Sequence, residues 1–478
     1  MSASWSVEGR RRLGTERLLL APGRALSRGR LHDPAVVLLS CAAAFAVGWA
    51  VVEMPTAALL PAAAVASLPL LLSAHARIVF VVFGMLLIFG TSEELTLPKL
   101  AYLAGLGVAA GGAIFNVQTV ARTPAFHTLK PLVLSSFALV ALVLVSFPVA
   151  EFQGTFLRDW LRDSAPYVMA AMAPLFALDA YASLSKRALE RLLLGAGLLG
   201  ALSFAVTWME RRGIGTLGLD VLGLPTILLG AALFAYAMSA LIQGDKRRGL
   251  WLGAGVLTFA LLISSGTRTS FILLAAPFAI AFGSTRPLGR RSLRLAIALP
   301  LVMVLVAVAA QSVLKAADAD EAIVRERISL LFESGSQQDG SYIERVNATR
   351  TAWESFRSSP LVGIGPGAEF TYAAADGQVV ITRNIDTPIL LLARFGLVGL
   401  VWVVIFAVAY MAVIRRLARA DPQPTVSRLA LIGFGAILLA NALLLVPFED
   451  KGFSAAILLL FALALRESFG EPRPAARR

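Results

Sequence analysis

The feature that constrains this chain most is a succession of apolar runs, each close to the length that crosses a bilayer. A helix needs about 20 mostly apolar residues to traverse about 30 Å of hydrocarbon, at 1.5 Å of rise per residue. Runs of this kind lie near 35–53, 56–74, 78–91, 99–117, 131–149, 166–182, 191–209, 223–242, 249–264, 270–283, 294–314, 387–413, 429–447 and 452–466. Hydrophobic residues make up 58% of the 478 and charged residues 15%, whereas soluble domains sit near 45–50% and about 25%. An ordinary soluble enzyme, a disordered chain and a fibrous protein are thereby excluded. The expectation is an all-α polytopic membrane protein of about 12–14 transmembrane helices. Its one cysteine, Cys41, lies inside an apolar run, so neither a disulfide framework nor a cysteine metal site is expected.

Charge placement orients the spans. Residues 1–34 carry Arg10, Arg11, Arg12, Arg17, Arg24, Arg28 and Arg30 and read as a basic cytoplasmic tail rather than a signal peptide. Alternate loops then hold Arg77; Arg122 and Lys130; Lys186, Arg187 and Arg191; Lys246, Arg247 and Arg248; Arg286 to Arg294; Arg415, Arg416, Arg419 and Arg428; and the C-terminal arginines. Basic residues gather in cytoplasmic loops, so the net charge of +13 is a topological signal, and no nucleic-acid partner is needed to explain it. The resulting organisation is a tail over 1–34, helices 1–11 over 35–314, a long periplasmic loop over 315–386, helices 12–14 over 387–466 and a cytoplasmic tail over 467–478.

Chemistry is expected in that long outer loop. His32, His75 and His127 all map to the cytoplasmic side, which argues against a histidine base or a His/Cys metal site outside. Within the loop, Tyr342, Val346, Thr349, Trp353 and Phe356 recur at helical spacing and predict one apolar stripe on a helix over 341–358. Arg345 borders it on one side, Arg350 and Arg357 on the other. Pro360 ends the helix, and the glycines of G-I-G-P-G, Gly363, Gly365 and Gly367, allow an unusual turn or a close approach to a ligand. Arg268, in S-S-G-T-R-T-S, falls where a span meets the outer surface. Arg211 and Arg212 form another basic point there, and Arg383 and Arg394 bracket the start of the twelfth run. Arg394 lies inside that run, which calls for a charged partner. Asp179 is among the few acids within a span. A helix lying on the membrane with arginines at its edge, and a snorkelling Arg268, are the structural alternatives. Several arginines at one depth on an otherwise acidic face suit a polyanion, because the guanidinium fork matches phosphate.

These motifs resemble those of the O-antigen ligase / O-antigen polymerase superfamily. S-G-T-R at 265–268 is similar to its S-R motif. Arg345, Pro360-Leu361-Val362-Gly363-Ile364-Gly365-Pro366-Gly367 and Phe395-Gly396-Leu397-Val398-Gly399-Leu400 are similar to its loop arginine, glycine turn and G-L-x-G segment. The resemblance implies a GT-C-like bacterial inner-membrane protein that transfers a glycan from an undecaprenyl-diphosphate carrier to a sugar hydroxyl at the periplasmic face, without a metal or other cofactor. Its partners would be that donor, a glycan or lipid A-core acceptor, membrane lipids and a chain-length regulator. The resemblance assigns Arg268 and Arg345 to the diphosphate, with Arg211, Arg212 and Arg383 as further candidates and the three glycines at the substrate. The family's His-Asn pair falls here on Ile385-Asp386, which makes Asp386 the candidate base, with Glu369 and Asp376 behind it and a helix cap as its structural alternative. The missing histidine favours a polymerase of O-antigen or exopolysaccharide over an O-antigen ligase. An exporter and a non-catalytic assembly scaffold are the readings from other classes.

Overall fold

The computed structural model describes residues 67–88, 96–210, 226–264, 340–374, 376–383, 385, 387–443 and 445–471, with isolated positions between 273 and 280. The described residues of the unit Leu70–Arg478 form mainly apolar helices. A broken first helix comprises α1 (Ala74–Val79), a π-helical turn over Phe80–Gly84 and α2 (Met85–Ile88). There follow α3 (Leu97–Val117), α4 (Pro124–Phe152), α5 (Leu157–Ser183), α6 (Lys186–Glu210), α7 (Ile227–Gln243) and α8 (Arg248–Ser264). The loop helix α9 (Gly340–Ser358) precedes a hairpin of β1 (Phe370–Ala373) and β2 (Val379–Thr382), and α10 (Leu390–Ala420), α11 (Val426–Ala442) and α12 (Gly452–Phe469) complete the order. Among the described residues, six helices are long and apolar enough to cross a membrane and four more are apolar but shorter. The all-α polytopic membrane class is therefore shown, and each described span overlaps an expected run. Runs 35–53 and 294–314, and most of 56–74 and 270–283, lie outside the described residues.

Threonine caps explain several helix starts. The hydroxyls of Thr123, Thr226 and Thr425 accept from the amides of Phe126, Leu229 and Arg428, satisfying first-turn donors that hydrocarbon would leave unpaired. Gly244 ends α7 in the left-handed region at φ 75°, where glycine carries no Cβ penalty. The helices α7 and α12 are buried along most of their length, whereas α4 and α10 present apolar side chains such as Phe137, Val145, Val404 and Val408 outward, as lipid-facing helices do.

The bundle has two distinct ends. At one, Arg466 donates to the carbonyl of Leu184, Lys186 pairs with Glu467 at 2.6 Å, Arg247 pairs with Glu190 at 2.7 Å, and Arg416 donates to the carbonyl of His127. The turns assembled there are the arginine- and lysine-rich loops expected inside. The other end collects residues 153–156, 226, the whole of α9 and the hairpin, and 445–451. Arg77, expected in a loop, instead sits 2% exposed on α1. Its Nε and Nη2 donate to Asp179 at 2.7 and 2.8 Å, and its Nη1 donates to the carbonyls of Leu70 and Leu71. Asn116 also donates to Asp179, which accounts for an acid deep in α5.

Candidate functional site

Gly396 breaks α10 near its start, with φ 60° and ψ −155°. A broken helix leaves amides and carbonyls without partners, which is tolerated at membrane depth only where protein supplies replacements. Here the glycine turn supplies them. The amides of Ile364 and Gly365 donate to the carbonyls of Ala393 and Arg394, at 2.8 and 3.0 Å. The amides of Leu397 and Val398 donate in return to the carbonyls of Pro360 and Leu361. The two sequence motifs thus complete one another's backbone.

Such proximity requires the absence of side chains. A Cβ at Gly363 would lie 2.4 Å from the Arg394 carbonyl carbon, and one at Gly396 would lie 2.4 Å from the Leu361 carbonyl. At Gly365 and Gly367 it would meet the backbones of Ala150 and Trp160. All four adopt positive φ, so geometry and space both demand glycine. The close approach expected of Gly363, Gly365 and Gly367 is made to the protein's own helices.

Beneath the turn lies a buried charge network. Arg394, 3% exposed, donates from Nη1 to Glu449 at 2.6 Å and from Nη2 to Asp163 at 3.1 Å and the carbonyl of Arg383 at 2.7 Å. Tyr167 donates to Glu449 at 2.6 Å, and the amide of Gly367 donates to Asp163 at 3.1 Å. One guanidinium therefore joins α5, the glycine turn, α10 and the segment before α12, and the partner expected for Arg394 is found twice over. Alongside, the buried carboxylate of Asp450 caps α7 by accepting from Thr226 and the amides of Ile227 and Leu228. Burial pushes the Asp450 carboxyl upward against those hydrogen bonds. Burial, reinforced by the Lys99 charge, lowers the Lys451 ammonium to about 8.

The expected site residues fall into three groups. Arg268, Arg211, Arg212 and Asp386 lie outside the described residues. Arg345 is exposed on α9, one helical turn before Thr349, whose hydroxyl is 3.0 Å from that of Thr387. This brings the Arg345 turn beside the segment that begins α10. There the Thr387 hydroxyl accepts from the amide of Ile389 at 3.4 Å, just ahead of α10. Arg383 donates to Glu369 at 2.7 Å and faces Asp159 at 3.3 Å.

The helix expected over 341–358 is α9, and its expected stripe is not the face packed against the protein. Its buried face is Ala348 and Ala352, against Phe370, Ile385, Leu390 and Ala393, while Val346 and Trp353 are exposed. Small side chains win the interface because β1 approaches α9 closely, with Asn347 donating to the Ala373 carbonyl. Asp159, Asp163 and Glu449 were not among the expected site residues. An i, i+4 acid pair just ahead of one apolar run, and Glu449-Asp450-Lys451 just ahead of another, were the available signals.

Residues 253–404, from α8 through the break in α10, match the family model described as O-Antigen ligase. The match supports the O-antigen ligase and polymerase superfamily for this segment. No curated protein matches the chain significantly. The match supports glycan ligation or polymerisation in general, by a glycosyl-transferring membrane enzyme with a lipid-linked glycan donor and a glycan acceptor. The matched segment contains the glycine turn, the hairpin, the helix break and the positions of Arg268, Arg345 and Asp386.

Proposed function

We propose that the protein transfers a glycan from undecaprenyl diphosphate to a sugar hydroxyl at the periplasmic face of the bacterial inner membrane, as a polymerase of O-antigen or exopolysaccharide or as an O-antigen ligase, with both termini cytoplasmic. The observation that carries this reading is the mutual repair of the glycine turn and the broken α10, at the end of the bundle opposite the basic loops, where the turn of α9 that follows Arg345 meets Thr387.

In the reaction, the bond between the anomeric carbon and the diphosphate oxygen breaks while the acceptor oxygen bonds to that carbon. The departing diphosphate takes the electron pair. Arg268 and Arg345 stabilise its growing charge, because donors fixed in place cost no reorganisation during the step. Arg211 and Arg212 extend this cationic rim. Asp386 accepts the acceptor's proton as a general base. Gly363, Gly365 and Gly367 serve the substrate indirectly, by fixing the loop that presents these groups.

Arg268→Ala, Arg345→Ala and Asp386→Asn are each expected to lower transfer by about a hundredfold or more, with carrier-linked repeats accumulating on the periplasmic face. Polymer gel profiles and extraction of carrier-linked glycan check this. Accumulation on the cytoplasmic face would point to an exporter instead, and unchanged polymer would remove these residues from the site.

A further inference from the structure

Beside the turn, and bordering the Arg394 network at Gly367 and Arg383, lies an open cavity of about 360 Å³, within the range of about 300–1,000 Å³ usual for small-molecule sites. It lies between the loop joining α4 to α5 and the residues flanking the hairpin. Its walls include Gln153, Phe156, Asp159, Gly367, Glu369 and Arg383. Three features bear on what it would hold. First, its polar lining is net negative, since both terminal nitrogens of Arg383 face carboxylates, Asp159 at 3.3 Å and Glu369 at 2.7 Å. A diphosphate entering here would meet two carboxylates around a cation that is already neutralised, so Arg383 is poorly placed for the role the sequence suggested. Second, the Nε of Arg383 is buried and has no hydrogen-bond partner among the described residues. Closed off from solvent, it offers the cavity no donor, so the charged lining that stays open to a ligand accepts rather than donates. Third, Phe156 is 76% exposed, which leaves its ring free to lie against an apolar C–H face.

Carboxylates that accept from hydroxyls, beside an aromatic wall, describe a receptor for a neutral, hydroxyl-rich ring. We propose that this cavity is a subsite for the acceptor glycan, gripping a sugar residue next to the one whose hydroxyl reacts. The proposal rests on the glycosyl-transfer reading above and adds which part of the substrate the hairpin and the α4–α5 loop hold. Asp159 and Phe156 bind and position in this scheme, and take no part in the bond exchange.

The test uses the full chain in lipid nanodiscs. The probe is the oligosaccharide released by mild acid from the host's own carrier-linked glycan, with inorganic pyrophosphate as the competing anion. Binding is followed by saturation-transfer NMR and transfer by kinetics. Phe156→Ala and Gln153→Ala, at exposed positions that leave the helix packing intact, together with Asp159→Asn, are expected to weaken oligosaccharide binding and raise the acceptor KM by about tenfold. The donor KM should stay unchanged, and pyrophosphate should not displace the oligosaccharide. Binding that depends on Phe156 in a protein with no transfer activity would sustain the subsite while overturning the transfer reading. Transfer with an unaltered acceptor KM in all three variants, no oligosaccharide binding by the parent protein, or displacement by pyrophosphate would overturn the subsite.

Discussion

Arg77 and Arg394 are both buried guanidiniums within apolar helices, at opposite ends of the bundle, yet they are satisfied in different ways. Arg77 forms a bidentate pair with Asp179, and its remaining nitrogen donates to two carbonyls of its own chain segment. Every nitrogen is used, and the unit is closed. Arg394 is divided among Glu449, Asp163 and the Arg383 carbonyl, and its Nε has no partner among the described residues. The first arrangement pins two helices. The second gathers the loop, the broken helix and two further elements at the end where chemistry is expected. Burial of charge alone does not mark a functional site; the number of elements that depend on one charge is the more telling property.

That contrast can be broken by substitution. Arg77→Met and Arg394→Met should each cost about 3–5 kcal/mol, because each strands a buried carboxylate. Adding Asp179→Leu should restore most of the loss in the first case. Adding Glu449→Gln should restore little in the second, because Asp163 remains charged. Thermal unfolding in detergent of the six variants, the four single substitutions and the two doubles, treated as two double-mutant cycles, checks this. Equal rescue at both sites would erase the distinction.

A smaller effect sharpens it. Gly363→Ala forces a Cβ into the Arg394 carbonyl at a residue with φ 70° and should cost about 3 kcal/mol, with loss of transfer activity. Gly111→Ala, in α3 and with nothing within 4 Å of the added Cβ, should be neutral or stabilise by about 0.5–1 kcal/mol. Melting temperatures and polymer assays on the pair discriminate backbone repair from general helix packing.

The smallest effect is a difference in pH response. Lys451 is lowered from its ordinary 10.5 to about 8, so between those values the unfolded chain holds more protons than the folded one. Stability should therefore rise from pH 8 to pH 10.5, and Lys451→Met should flatten that rise. At the opposite end, the hydrogen bond from Arg247 to Glu190 raises the guanidinium still further, so it stays charged across the same window. Melting curves recorded across this range with both variants, Lys451→Met and Arg247→Met, would separate the two.

Much of the fold was legible because hydrocarbon imposes a length on each span. The α5 boundary was misjudged because Asp159 and Asp163 look like loop residues until the helix is seen to begin at Leu157, ahead of its apolar stretch. The buried face of α9 was missed because the sequence weighs Trp353 and Val346 by size, whereas the interface selects alanines that permit approach. The hairpin was missed although Phe370–Ala373 and Val379–Thr382 flank a turn through Asp376 and Gly377. The bonding between the turn and the break left only its glycines as a trace, since amides and carbonyls pair without regard to side-chain type.

The stitching of residues 360–365 to 393–398 has a further consequence. Everything between them, hairpin included, is an excursion whose two ends are clamped together by backbone bonds. Loop-closure entropy grows only slowly with length, so the tip at Gly377 can be extended, shortened or rewritten while the clamp stays as it is. The protein carries an exchangeable cassette on a fixed hinge plate, and that cassette is where recognition can diverge without the membrane scaffold having to change.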